Sequence, residues 1–162
     1  MPELLDITLR PIADADLPFL GRLYASTRQE ELSVTGWPQE QIDVFLAQQF
    51  GAQHKYYSEN YRSASFDLIL DPDSGEPIGR LYLDRREQEF RIVDIALLPE
   101  WRGRGIGGGI LRGLLEEAGR AGKRVSIHVE HNNPAMSLYL RLGFRHIDTN
   151  GVYHLMDWSA SD

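Results

Sequence analysis

Leu98-Pro99-Glu100-Trp101-Arg102-Gly103-Arg104-Gly105-Ile106-Gly107-Gly108-Gly109 joins the most apolar run of the chain, Phe90 to Leu98, to a long amphipathic stretch. The run reads as a strand buried on both faces and stopped by Pro99. The stretch reads as a helix from Gly105 to about Ala121, with Ile106, Ile110, Leu111, Leu114, Leu115 and Ala118 as its inner stripe and Gly122 as its stop. Glycines at such a junction let the main chain turn sharply and approach a ligand with no side chain in the way. The first N–H groups of a helix have no intrahelical acceptors, and the helix dipole adds roughly half a positive charge there. A phosphate or pyrophosphate suits that position. Arg102 and Arg104 add guanidinium groups, each able to contribute roughly 1.5–3 kcal/mol through charge-assisted hydrogen bonds. A turn built for packing alone accounts for the glycines but not for the interleaved arginines.

Outward from this junction the remaining elements follow from periodicity and turn chemistry. Upstream, Ile7 to Pro11 alternates like a short strand, and Asp14 or Asp16 can cap a helix reaching about Arg28. Pro38 suits the first position of a second helix, in which Ile42, Phe45, Leu46 and Gln49 recur, and whose pattern resumes at Tyr56 and Tyr57 after Gly51. Ser65–Leu70 and Ile78–Asp84 read as strands joined by the turn-rich Asp71-Pro72-Asp73-Ser74-Gly75. Downstream come a strand at Val125–Val129, a short helix at Pro134–Leu142 closed by Gly143, and a hairpin, Arg145–Thr149 and Val152–Trp158, around Asn150-Gly151. Antiparallel strands come first and a βαβ-like unit later. That order predicts a mixed α+β sheet and not a doubly wound one.

The composition narrows the class. The chain has 162 residues, 42% of them hydrophobic, which suits one domain over residues 1–162. Lys and Arg number 17 against 24 Asp and Glu, a net charge of −7. Nucleic acid and anionic membranes both require a positive field, so neither is an expected partner. No apolar run approaches the roughly 18–20 residues of a membrane span. Met1-Pro2-Glu3-Leu4 lacks the order of a secretion signal, and a cytoplasmic protein is expected. The absence of cysteine removes disulfides, thiolate zinc sites and any covalent cysteine mechanism. His128 and His131 have no third ligand at usable spacing, so no metal site is expected.

Three phosphate readings compete for the glycine-rich loop. A P-loop ends in Gly-Lys-Ser/Thr, which Gly105-Ile106-Gly107 does not supply. Gly103, Gly105 and Gly108 satisfy G-x-G-x-x-G, with Glu130 as a ribose partner, and would suit an NAD(P)-dependent oxidoreductase. The chain left after Glu130 is too short for the remaining βαβ units. The third reading covers most of the chain. Arg102-x-x-Gly105-x-Gly107, after a strand ending Ala96-Leu97-Leu98-Pro99, resembles the acetyl-coenzyme A signature of the GCN5-related N-acetyltransferase (GNAT) superfamily. Asn132-Asn133-Pro134-Ala135-Met136-Ser137-Leu138-Tyr139-Leu140-Arg141-Leu142-Gly143-Phe144 resembles the second motif of that family.

The resemblance implies a three-layer fold: a central, mostly antiparallel sheet of about seven strands with a splayed parallel pair, flanked by about four helices. It implies an acetyl-CoA-dependent transfer to a primary amine of a small molecule, amino acid or peptide. The pyrophosphate would lie on main-chain amides of Arg102, Gly103, Arg104, Gly105, Ile106, Gly107 and Gly108. The pantetheine arm would run along Ile95, Ala96, Leu97 and Leu98. The family asparagine maps to Asn132 counting back from the tyrosine, or to Asn133 counting on from the strand. Tyr139 matches the tyrosine that protonates the departing thiolate. A phenol near 10 facing a thiol near 8.5 makes this reasonable chemistry. A non-catalytic acyl-CoA sensor would keep the loop without the chemistry. Relatives often form homodimers, and no pattern here identifies an interface.

The attacking amine must be neutral. Deprotonating a lysine side chain at pH 7 costs roughly 4–5 kcal/mol, an α-amine only about 1. Asp94, His128 and Glu130 are the candidate bases, directly or through water. Asp94 reads equally as a buried acid paired with Arg91 or Arg80, and His128 as a solvated or core histidine. Without cysteine, direct transfer in a ternary complex is expected. Trp37, Tyr56, Tyr57, Tyr61 and Tyr153 could wall an acceptor pocket, or pack as core and hairpin, and Glu30, Glu31 and Glu59 could attract an amine.

Overall fold

The computed structural model describes residues 8–160. Its strands are β1 (Thr8–Pro11), β2 (Ser65–Leu70), β3 (Pro77–Arg85), β4 (Glu89–Leu97), β5 (Arg124–Glu130), β6 (Arg145–Asn150) and β7 (Tyr153–Trp158). They form one seven-stranded sheet in the order β1-β2-β3-β4-β5-β7-β6. Every neighbouring pair is antiparallel except β4 and β5. With a single parallel pair, this α+β sheet is not a dinucleotide-binding one. Four α-helices accompany it: α1 (Leu17–Ser33), α2 (Gln39–Asn60), α3 (Ile106–Arg120) and α4 (Met136–Arg141).

The two faces of the sheet carry separate cores. On one, Ile110, Leu111, Leu114, Leu115 and Ala118 of α3 pack with Tyr139 of α4 against Leu81, Leu83, Phe90, Ile92, Val125, Ile127 and Val129. On the other, Phe19, Leu20 and Leu23 of α1 cover Leu68, and Tyr24 and Leu32 meet Ile42 and Leu46 of α2. Helix α3 opens with Gly107, Gly108 and Gly109, each roughly 1 kcal/mol worse than alanine in a helix. Burial of its four large aliphatic side chains, roughly 1.5–3 kcal/mol each, outweighs that cost.

Several boundaries differ from the sequence expectation for identifiable reasons. Helix α1 continues past Arg28 to Ser33 because Leu32 joins the α1–α2 core. Asp16 precedes α1, yet its carboxylate turns back to accept from the Ala13 N–H (2.7 Å) and pairs with Arg10 (3.0 Å). Pro38 sits just before α2, and α2 runs straight through Gly51 because Phe50 packs towards α1 on its inner side. The closing two-residue turn is Gly151-Val152, one residue later than expected, with Gly151 at φ +64°. Ile7, expected to open the first strand, lies outside the described residues. Among the described residues no helix is long and apolar enough to cross a membrane.

Strand β4 departs most informatively. Only Phe90 and Ile92 are buried, alternating with half-buried neighbours, and Val93 to Leu97 are half-buried throughout, so the strand is not buried on both faces as expected. The ladder to β5 runs from Glu89↔Arg124 to Ile92↔Ile127 and then stops, so the second half of β4 has no neighbour on that side. The split begins at a bulge. Tyr82 faces Asp94 and Leu83 faces Ile92, leaving Val93 as the extra residue. One extra residue reverses which face every later side chain takes. Phe90 and Ile92 belong to the α3 core, and after the bulge Ile95 and Leu97 take over that role. Asp94 and Ala96 are thereby turned to the α1–α2 face, where Ala96 packs with α1.

Candidate functional site

The chain leaves β4 through a short 3-10 turn at Pro99–Trp101 and enters α3 at Ile106. Gly103 and Gly105 hold φ of +73° and +84°, the left-handed region that glycine enters without strain. Among the described residues no neighbouring atom lies within 4 Å of where a Cβ would stand at either position. Among the described residues, the N–H groups of Gly103, Arg104, Gly105, Ile106, Gly107 and Gly108 donate to no protein acceptor. The first amide engaged beyond them is Gly109, bonded to Gly105 O at 2.9 Å. These donors, at the positive end of α3, are the feature that a diphosphate would require. Arg102 lies outside the cradle at both ends: its own N–H is bonded to Pro99 O at 3.2 Å.

The arginine side chains are committed to the scaffold. Arg102 donates Nε to Leu97 O at 2.9 Å and Nη2 to Ser26 Oγ at 3.4 Å, tying the loop to the end of β4 and to α1. Arg104 stacks over the Trp101 ring at 4.6 Å. Behind the loop, Ile95, Ala96, Leu97 and Leu98 line the opened edge of β4, with Leu98 N held by Ile78 O at 2.9 Å.

Tyr139 is buried on α4, edge-on to Phe144 at 5.6 Å. Burial, with the charge of Asp94 adding to it, pushes its phenol up to about 12, so the hydroxyl stays protonated. The two asparagines differ in their contacts. Asn133 Oδ1 accepts from the Ala135 N–H at 2.8 Å and fixes the turn into α4. Asn132 is exposed and its side chain has no protein partner among the described residues.

The three candidate bases separate clearly. Asp94 is ion-paired with Arg80, which is only 3% exposed and also donates to Gln53 Oε1 at 2.8 Å. Burial opposes the Arg80 charge, but Asp94 and the nearby Tyr82 and Tyr57 outweigh it and the guanidinium stays ionised. His128 is exposed, and its Nδ1 lies 3.3 Å from Arg91 Nη1. A guanidinium can only donate, so Nδ1 accepts and the imidazole proton sits on Nε2. Burial and Arg91 both lower the His128 pKa. Glu130, the last residue of β5, has no side-chain hydrogen bond or ion pair among the described residues.

Of the aromatic residues expected around an acceptor, Tyr57 is edge-on both to Tyr82 and to Tyr61, each at 5.9 Å. Burial, then Asp94, raises the Tyr57 phenol. Tyr153 lies opposite Glu130 in the β5–β7 ladder. Trp37 instead packs edge-on against Phe45 at 5.6 Å, and Tyr56 is more than half exposed. Glu31 is paired with Arg28. Sequence reading missed Tyr24, Arg28, Gln53 and Tyr82. The one available signal was the polar alternation Arg80, Tyr82, Asp84 along β3, which marks a buried polar face.

The parallel pair β4–β5 thus parts at a bulge and leads into a glycine loop whose amides have no protein acceptor among the described residues. The sequence matches the acetyltransferase (GNAT) family over residues 26–144, and the chain belongs to that family. Solved structures share its fold. PaiA N-acetyltransferase from Thermoplasma acidophilum, in complex with coenzyme A, is 18% identical at a TM-score of 0.69, covering 94% of this chain and 98% of that one. An acetyltransferase from Thermus thermophilus is 20% identical at 0.65, covering 93% and 95%. A GNAT family acetyltransferase from Elizabethkingia anophelis, with acetyl-CoA bound, is 19% identical at 0.57, covering 94% and 97%. No curated protein matches the sequence.

Proposed function

We propose that this chain, as a single domain, transfers an acetyl group from acetyl-CoA to a primary amine of a small molecule, amino acid or peptide, by direct transfer in a ternary complex. The observation that carries this reading is the unbroken row of uncommitted amides from Gly103 to Gly108 at the end of the splayed β4. Acetyl-CoA, when bound, supplies a thioester whose carbon–sulfur bond breaks as the carbon–nitrogen bond forms, leaving an amide and free coenzyme A.

The amides of Gly103 to Gly108 would hold the diphosphate, and the free edge of β4 from Ile95 to Leu98 the pantetheine arm. Asn132, with its side chain free, would contact that arm, while Asn133 shapes the turn. Tyr139 donates a hydrogen bond to the departing sulfur. Asp94, balanced by Arg80, acts as a fixed anion beside the reacting centre and not as the base, and His128 has its acceptor nitrogen occupied. Glu130 is the group left with free lone pairs to take the ammonium proton, directly or through one water.

The experiment is thiol release from acetyl-CoA across a panel of amines, with calorimetric titration of coenzyme A and of NADH. Coenzyme A binding with amine-dependent thiol release supports the reading. Binding without turnover on any amine supports a sensor instead, and NADH binding without coenzyme A refutes both. Glu130→Gln is expected to lower kcat/KM by about 10²–10⁴, and an unchanged value removes Glu130 from the role of base.

A further inference from the structure

Two opposite charges, Arg28 on α1 and Glu130 at the end of β5, sit on the elements that border the end of the sheet where β4 and β5 part. Glu130 lies directly across the β5–β7 ladder from Tyr153 and is unpaired among the described residues. Arg28, on α1, donates Nη1 to Tyr24 Oη at 2.9 Å and Nε to the exposed Glu31 at 2.8 Å, which leaves Nη2 uncommitted. Helix α1 is held against this end of the sheet by Arg102, whose guanidinium reaches both Leu97 O and Ser26 Oγ, two residues before Arg28. Tyr153 reports both charges. Burial raises its phenol first, Glu130 raises it further, and Arg28 opposes them. Both charges thus act on the Tyr153 phenol, Glu130 from the facing position of β5 and Arg28 from α1.

We infer that the acceptor is an amine carrying a carboxylate close to its nitrogen, as an α-amino acid does, with the carboxylate on Arg28 and the amine towards Glu130. This rests on the acetyl-transfer reading and names its substrate class. A planar guanidinium with a free N–H edge recognises a carboxylate specifically. A polyamine or a lysine side chain in an extended peptide would bring a second cation, or nothing, to Arg28. An α-amine also needs less help to become neutral than a lysine side chain does, in keeping with a base as exposed as Glu130.

The test compares amino acids with their carboxamides and with the amines left by decarboxylation, following thiol release from acetyl-CoA. The amino acid is expected to exceed both analogues in kcat/KM by at least about tenfold, the worth of one charge-assisted hydrogen bond. Arg28→Gln is expected to erase that preference by raising KM for the amino acid, and Arg28→Lys to retain part of it. Three outcomes overturn the inference: analogues that match or surpass the amino acid, an Arg28→Gln variant that keeps the preference, or transfer to none of the compounds. Titration of the wild-type protein with coenzyme A separates the levels. Absence of binding overturns the cofactor reading beneath, whereas binding with the wrong acceptor order overturns the Arg28 assignment alone.

Discussion

Tyr139→Phe deletes one hydroxyl and keeps the ring edge-on to Phe144. That hydroxyl has no hydrogen-bond partner among the described residues, so its loss should change folding stability by less than about 1 kcal/mol. With the phenol pushed up to about 12, outright proton transfer to a thiolate near 8.5 is uphill by about 3.5 units, or about 5 kcal/mol. In the proposed transfer Tyr139 would therefore act by hydrogen-bonding to the sulfur as charge develops on it. A hydrogen bond to a charged group contributes roughly 1.5–3 kcal/mol, which converts to a loss of about 10- to 150-fold in kcat. The assay is thiol release at saturating acetyl-CoA and acceptor, with urea midpoints and coenzyme A titrations to show that fold and affinity persist. An unchanged kcat refutes the contact with sulfur, and a loss beyond about 10⁴ refutes the hydrogen-bond argument in favour of obligatory proton donation. The same shift has a stability consequence. The folded state disfavours the phenolate, so its contribution is intact below the unfolded value near 10 and is lost as pH rises towards 12. Tyr139→Phe should soften alkaline unfolding in that window.

Gly105→Val places a β-branched residue at φ +84°, with left-handed strain of about 1–2 kcal/mol or more. Circular dichroism should stay native while coenzyme A affinity falls at least about tenfold, and unaltered affinity would move the diphosphate site elsewhere. Arg80→Met leaves Asp94 without its partner beneath α2 and should cost about 3 kcal/mol in urea unfolding, whereas Arg80→Met with Asp94→Asn should recover much of that loss. Equal losses in the single and double variants would contradict the pairing. His128 is held below its usual pKa by burial and Arg91, so the folded state prefers it neutral. Its contribution is present above about pH 6.5 and is lost as pH falls through its lower folded value. His128→Gln should flatten that acid-side loss and leave the pH profile of kcat unmoved; a displaced profile would restore His128 as a base.

The sequence announces most of this fold because its strongest signals are local. The three-and-four stripe of α3, the strand stopped by Pro99 and the tight hairpin near Gly151 each rest on residues within one element or turn. The bulge at Val93 was hidden because Phe90 to Leu98 is apolar almost throughout, and alternation cannot register a change of face where both parities are apolar. The same blindness gave a strand buried on both faces where the second half is half-open. The loop glycines mark where an anion would lie, but the contacts of Arg102 with Leu97 O and Ser26, and of Arg104 with Trp101, depend on residues outside the motif. That Asn133 fixes the turn into α4, and that Arg80 and not Arg91 is the partner of Asp94, likewise rest on single contacts, which spacing does not encode.

The short ladder between β4 and β5 works as a spine. Strands β1 to β4 hang from one side of it and β5, β7 and β6 from the other, stitched by the pairs from Glu89↔Arg124 to Ile92↔Ile127. Arg28 and Asp94 travel with one cover of this book, Glu130 and Tyr153 with the other. The aperture between them is therefore set by the stiffness of the spine. Buried side chains such as Ile92 and Ile127, which meet no reacting atom, govern how far apart the opposing groups stand.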